Sequence, residues 1–126
     1  MRHLHDRIRT YTAIDFNRPY LLLALVYMGG IYWLSSLSGL VMKGVDADLL
    51  HVPLYAGLAF CLLNTMPETR PRQAVSWRLL GLVFVSAAYA ALDEWHQSFV
   101  SGRDASFGDF SLDLLGIGLM LALSRL

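Results

Sequence analysis

Charge is scarce in this chain. Only 16% of its residues are Asp, Glu, Lys or Arg, against about a quarter in an ordinary water-soluble domain. The remainder is rich in apolar residues, at 56% hydrophobic with a mean hydropathy of +0.47. Cysteine is nearly absent. The single Cys61 sits inside an apolar run, so it forms no intrachain disulfide and reads as a small core residue. There is no Gly-rich phosphate loop, no dinucleotide-binding turn and no Cys/His zinc spacing, which removes the motif-borne nucleotide and zinc-module classes. Linkers, internal repeats and low-complexity stretches are also missing, and 126 residues leave room for one compact domain.

What the chain does have is four apolar segments. They are Tyr20 to Met42, which is uncharged, Leu49 to Met66, about Trp77 to Leu92, and Phe110 to Leu123. A membrane-spanning helix needs about 20 mostly apolar residues. The first segment meets that length directly, and the others meet it when their polar ends are counted as helix. The first run also continues past the small residues Ser35, Ser36, Ser38 and Gly39 and exceeds a signal-peptide core, so it is expected as a retained span. The expected fold class is all-α, a four-transmembrane-helix bundle over residues 19–126, preceded by a basic segment over residues 1–18. In that segment Leu4, Ile8 and Tyr11 recur at helical spacing among arginines, which suits a short helix on an anionic leaflet or a basic tail.

The zero net charge conceals a division. One side of the expected bundle takes the N-terminus, the 67–75 loop and the C-terminus. It carries eight basic residues against Asp6, Asp15 and Glu68, a net of +5. The other side carries Lys43 and Arg103 against seven acidic residues, a net of −5. Short Arg- and Lys-rich loops stay cytoplasmic, so both termini are expected inside a cell membrane and the acidic side outside. The basic residues are thereby used as inner-face anchors, which leaves no case for nucleic acid as a partner.

Counting along the helices places several polar residues at one depth. His51 is about 22 Å from Met66, Asp93 about 22 Å from Arg78, and Asp113 about 18 Å from Arg125, at 1.5 Å per residue. Three segments therefore supply a single polar layer beneath the outer surface. His51 and Tyr55, Asp93 and Gln97, and Asp109 and Asp113 are each four apart and share helix faces, with Glu94 and Gln97 three apart. Gly116 and Gly118 allow close helix approach. Ionisable groups at membrane depth are costly and face a bundle interior or a cavity. Arg103, in the Ser101-Gly102-Arg103-Asp104 turn, is the nearby cation and is expected to fold over the acids as a paired lid. Plainer roles fit too: Asp48 and Asp109 as helix N-caps, Trp95 as an interfacial aromatic, His96 facing headgroups or water, and the whole layer as a structural polar network.

The pattern His51-x-x-x-Tyr55, Asp93-Glu94-x-x-Gln97, Gly102-Arg103 and Asp109-x-x-x-Asp113-x-x-Gly116, with Ser35-Ser36 ahead of it, resembles the VanZ-like family of small integral membrane proteins over roughly residues 20–123. The resemblance implies a helical membrane protein of the cell envelope, in a family named for a member linked to teicoplanin resistance, and it implies no defined reaction. In that family a lysine often stands three before the histidine, where this chain has Asp48. An asparagine is common where it has Asp113. Both departures add negative charge to the layer, to be met by protonation, by Arg103 or by a bound cation.

Three functional readings follow. In the first, an accessory protein binds a polar headgroup or envelope precursor at the outer leaflet, with Arg103 on phosphate or carboxylate, and Glu94 and Gln97 orienting the ligand. In the second, an envelope-lipid enzyme works through Glu94, Asp113 and His51, with Tyr55, Asp93, Gln97, Arg103 and Asp109 on the substrate. There, divided carboxylate roles or a divalent cation activate water. In the third, the layer fixes helix register in a structural module. A homodimer is compatible with each.

Overall fold

The computed structural model describes residues 16–39, 47–66 and 72–124. Among them the chain is all-helical and holds no strand: α1 Arg18–Ser35, α2 Ala47–Thr65, α3 Arg72–Gln97 and α4 Phe107–Leu123. The expected interfacial helix or tail at the N-terminus lies almost wholly outside these residues. The helix over Asp48–Thr65 is long and apolar enough to cross a membrane. The other three are less uniformly apolar or shorter. α1 takes in Arg18, α3 runs from Arg78 into Asp93 and Glu94, and α4 has 17 residues with Asp109 and Asp113 among them.

Local chemistry sets the ends of the helices. α1 begins with proline in its first turn, where a missing N–H costs nothing. It stops at Ser35, well before Met42, the end of the apolar run. The Ser35 and Ser36 hydroxyls both donate to the Tyr32 carbonyl, at 3.0 and 2.6 Å, and Ser36 N–H closes on the same oxygen. Such side-chain bonds compete with continued helix. Beyond them Gly39 N–H donates to the Ser101 carbonyl at 3.2 Å, turning the chain across the loop after α3. Gly39 fits only because it lacks a side chain, since a Cβ there would run into the Gly102 carbonyl oxygen. Gly102 itself has φ 75° and closes the turn that the sequence places there.

α2 is the centre of the bundle and packs against each of the other three helices. Its Tyr55, Leu58 and Ala59 join Ile31, Leu82, Ala90 and Ile117 in one buried cluster. Its contact with α4 is close because of Gly116, where a Cβ would stand 2.3 Å from the Val52 carbonyl oxygen. Gly118, expected to do the same, faces outward with nothing near it. At the opposite end, Asn17 N–H donates to the Thr65 carbonyl at 2.9 Å, and the Arg78 guanidinium donates to the Leu63 carbonyl. These two bonds tie α1 and α3 to the last turn of α2.

Large apolar side chains also cover the outside of the bundle, and polar ones share its interior with the apolar cluster. Val26, Leu49, Trp77, Phe84 and Phe99 are each more than 70% exposed. The interior meanwhile contains Ser35, His51, Ser86, Asp93, Glu94, Gln97 and Asp113, all buried.

A buried polar layer as the candidate functional site

The layer inferred by counting exists. His51 on α2 and Asp113 on α4 are separated by 62 residues and meet through Nδ1 and Oδ1 at 2.7 Å. Asp113 has no exposed surface and His51 is 7% exposed. On α3, Gln97 Nε2 donates to Asp93 Oδ2 at 3.2 Å, one turn apart on the shared face. Glu94 is 8% exposed, and its Oε2 accepts the backbone N–H of Ser106 at 3.0 Å. Tyr55 is 1% exposed and stands one turn below His51.

A cavity of about 20 Å³ opens among these groups, room for roughly one water. His51, Tyr55, Asp93, Gln97 and Arg103 supply its polar lining, and Ile31 and Ser35 of α1 help to close it. Several atoms around the layer are buried and have no hydrogen-bond partner among the described residues. They are Tyr55 Oη, Asp93 Oδ1, Glu94 Oε1, Asp113 Oδ2 and Arg103 Nε. Unpartnered buried polar atoms are uncommon in folded proteins, and five of them fall in this one layer.

Three expectations change. The layer is a set of adjacent pairs, His51 with Asp113, Asp93 with Gln97 and Glu94 with Ser106, rather than one bonded network through Arg103. Arg103 lines the cavity, yet among the described residues the ion pair formed is His51 with Asp113, and Arg103 makes none. Its backbone N–H is taken by the Val100 carbonyl at 3.1 Å. The guanidinium is therefore placed beside the acids without being spent on them. Asp109 is not the N-cap of α4. Ser106 is, and its hydroxyl accepts the Asp109 N–H at 3.0 Å while donating to Asp109 Oδ2 at 2.8 Å. Ser106-x-x-Asp109 thus has the spacing of a capping box, readable in the sequence, but the aspartate takes the Ser106 hydroxyl while the Ser106 N–H goes to Glu94.

The structure also adds contacts that spacing does not reveal. Ser35 reaches the cavity from α1. His96, which the sequence sends to headgroups or water, is half-buried, stacks on Tyr32 with ring centroids 4.5 Å apart, and pairs with the Ser36 hydroxyl at 3.0 Å. Trp95 is 65% exposed and packs edge-on against Phe99, in keeping with an interfacial aromatic. Comparisons with protein-family models, curated proteins and solved structures give no match to the chain.

Proposed function

We propose that the chain is a four-span membrane protein of VanZ-like type whose polar layer, opening on the outer side, binds the polar part of an envelope lipid or precursor. The observation that carries this reading is a cavity whose lining residues Tyr55, Asp93 and Arg103 each hold a buried polar atom without a partner among the described residues, with Glu94 Oε1 and Asp113 Oδ2 in the same state elsewhere in the layer. Three carboxylate oxygens and a phenol call for hydroxyl, ammonium or cationic partners. A guanidinium that makes no ion pair among the described residues suits phosphate or carboxylate. A headgroup offers both, with its acyl chains left for the apolar outer faces of the helices.

The apolar outer surface of the bundle supports the membrane setting, because lipid is the solvent that accepts Val26, Leu49 and Phe84 on the outside. At 1.5 Å per residue the helices run about 26 to 39 Å, enough to cross a hydrocarbon core of about 30 Å with tilt or polar ends. The arginine-rich ends support an inside location for both termini. The 2.7 Å His51–Asp113 pair is the one observation that favours a hydrolytic reading, since a carboxylate-oriented imidazole is a competent base.

The test compares Glu94→Gln with Arg103→Ala in cells, measuring glycopeptide susceptibility alongside the amount of folded protein in membranes. A binding role predicts the larger loss of phenotype for Arg103→Ala and a partial loss for Glu94→Gln, at normal protein levels. An enzyme predicts abolition by Glu94→Gln alone, and a structural module predicts loss only where folded protein is lost. Unchanged susceptibility for both variants at normal levels removes the polar layer as the functional site.

A further inference from the structure

One ligand atom from each of His51, Glu94 and Asp109 lies within 4.8 Å of the other two. These residues come from three different helices, so helix packing, not local sequence, brings them together. Opposite ligands on an ion at about 2.1 Å stand about 4.2 Å apart, so small side-chain rotations bring the set onto one centre. Proximity of acids alone would mean little. The hydrogen bonds around this group are what single it out.

Each of the three side chains is held by one atom and left free at another. His51 Nδ1 is engaged by Asp113 at 2.7 Å, which leaves Nε2 as the free ring nitrogen. Glu94 Oε2 is engaged by Ser106 N–H at 3.0 Å, which leaves Oε1 buried and without a partner among the described residues, on a side chain 8% exposed. Asp109 Oδ2 is engaged by the Ser106 hydroxyl at 2.8 Å, which leaves Oδ1. Ser106 therefore orients two carboxylates at once, and Asp113 orients the imidazole. A carboxylate behind a histidine, fixing its tautomer and ring direction, is the usual outer shell of a metal-bound imidazole.

Charge balance leads to the same place. Glu94, Asp109 and Asp113 lie close to His51, Asp93 shares the cavity lining with Arg103, and the one ion pair among the described residues consumes only Asp113. An anionic headgroup would be repelled by the carboxylates that remain. A cation between them removes that repulsion and presents open coordination positions to a phosphate or carboxylate.

We infer that His51, Glu94 and Asp109 form a divalent-cation site, oriented by Asp113 and Ser106, which bridges the pocket to an anionic group of its ligand. This inference deepens the binding role proposed above and rests on it for the identity of that group. Two carboxylates with one imidazole suit Mn²⁺ first, with Zn²⁺ as the competitor, because oxygen donors favour the harder ion and imidazole the softer. Asp109 is half-exposed while His51 and Glu94 are buried, so the ion enters from the Asp109 side.

The experiment uses the full chain in nanodiscs, stripped with chelator, in a background with His3 and His5 replaced by alanine. MnCl₂ is titrated and free Mn²⁺ is followed by its electron paramagnetic resonance signal, with ZnCl₂ as competitor. The expected result is one Mn²⁺ per chain, displaced by Zn²⁺. Affinity should fall beyond detection in His51→Ala, by about 10- to 100-fold in Asp113→Asn, and not at all in the loop variant Asp104→Asn. Absence of stoichiometric Mn²⁺ or Zn²⁺ binding by the unsubstituted site overturns the inference without depending on any variant folding. So does unchanged affinity in both His51→Ala and Glu94→Gln. Retention of anionic phospholipid by the chelator-stripped chain, undiminished relative to the Mn²⁺-loaded chain, would sink the cation bridge and leave the binding role standing. A stoichiometric ion with no lipid retention would leave the cation site standing and overturn both its bridging part and the binding role.

Discussion

Replacing His51 by alanine tests the packing of the polar layer most sharply. Among the described residues the imidazole is the one partner of Asp113, at 2.7 Å, in a place where Asp113 has no exposed surface and its second oxygen has no partner. Removing the imidazole leaves both oxygens orphaned, and breaking a buried pair in this way costs about 3–5 kcal/mol. Asp113→Asn is gentler. The amide oxygen can still accept from Nδ1–H, and the loss is the difference between a charged and a neutral hydrogen bond, about 1 kcal/mol. In the double variant the orphan is a neutral amide, so the total should fall short of the sum of the two single losses by about 1.5–3 kcal/mol. The assay is unfolding of the detergent-solubilised chain by added SDS, followed by circular dichroism. Losses that add to within about 0.5 kcal/mol would refute the coupling.

Three further outcomes follow from the same geometry. Arg103→Ala combined with Asp113→Asn should be additive in that assay, because Arg103 makes no ion pair among the described residues; a coupling above about 1 kcal/mol would contradict its placement. Gly116→Ala should destabilise by about 1–3 kcal/mol, since its Cβ would meet the Val52 carbonyl oxygen at 2.3 Å, whereas Gly118→Ala, with nothing nearby, should be neutral or slightly stabilising. Ser106→Ala should cost about 1 kcal/mol through the lost cap of α4 while sparing the bond to Glu94, which comes from the backbone N–H; a loss near zero would contradict the capping role.

Most of the helical layout is legible in the sequence because apolar runs and their polar interruptions are long-range signals. The depth of the polar layer is legible for the same reason. Helical rise is constant, so His51, Asp93 and Asp113 can be placed by counting from the basic ends, and the His51–Asp113 bond bears the count out. Rotation about each helix axis is less accessible. Gly116 and Gly118 are only two apart and so point to different sides; Gly116, three residues after Asp113, shares its inward face and meets α2, while Gly118 does not. Helix ends are decided by single hydrogen bonds. The Tyr32 carbonyl captures two serine hydroxyls and ends α1 at the Ser35-Ser36 pair, inside an uncharged run that continues to Met42. Arg103 shows a further gap. A lone cation among acids invites pairing, yet the turn that carries it, with Gly102 at φ 75°, brings the guanidinium to the cavity wall without closing an ion pair there.

Whether an envelope ligand can reach the layer depends on which way it faces, and two cysteines measure that. Cys61 is 3% exposed, so the natural chain gives a nearly silent background for thiol labelling. Ser101 lies exposed in the turn beside Arg103, and Ser124 lies exposed at the end of α4. With a membrane-impermeant maleimide, Ser101→Cys should label in intact cells and Ser124→Cys only after permeabilisation. Labelling of Ser124→Cys in intact cells, with Ser101→Cys protected until the membrane is opened, would turn the polar layer to the cytoplasm and contradict an outer-leaflet binding site.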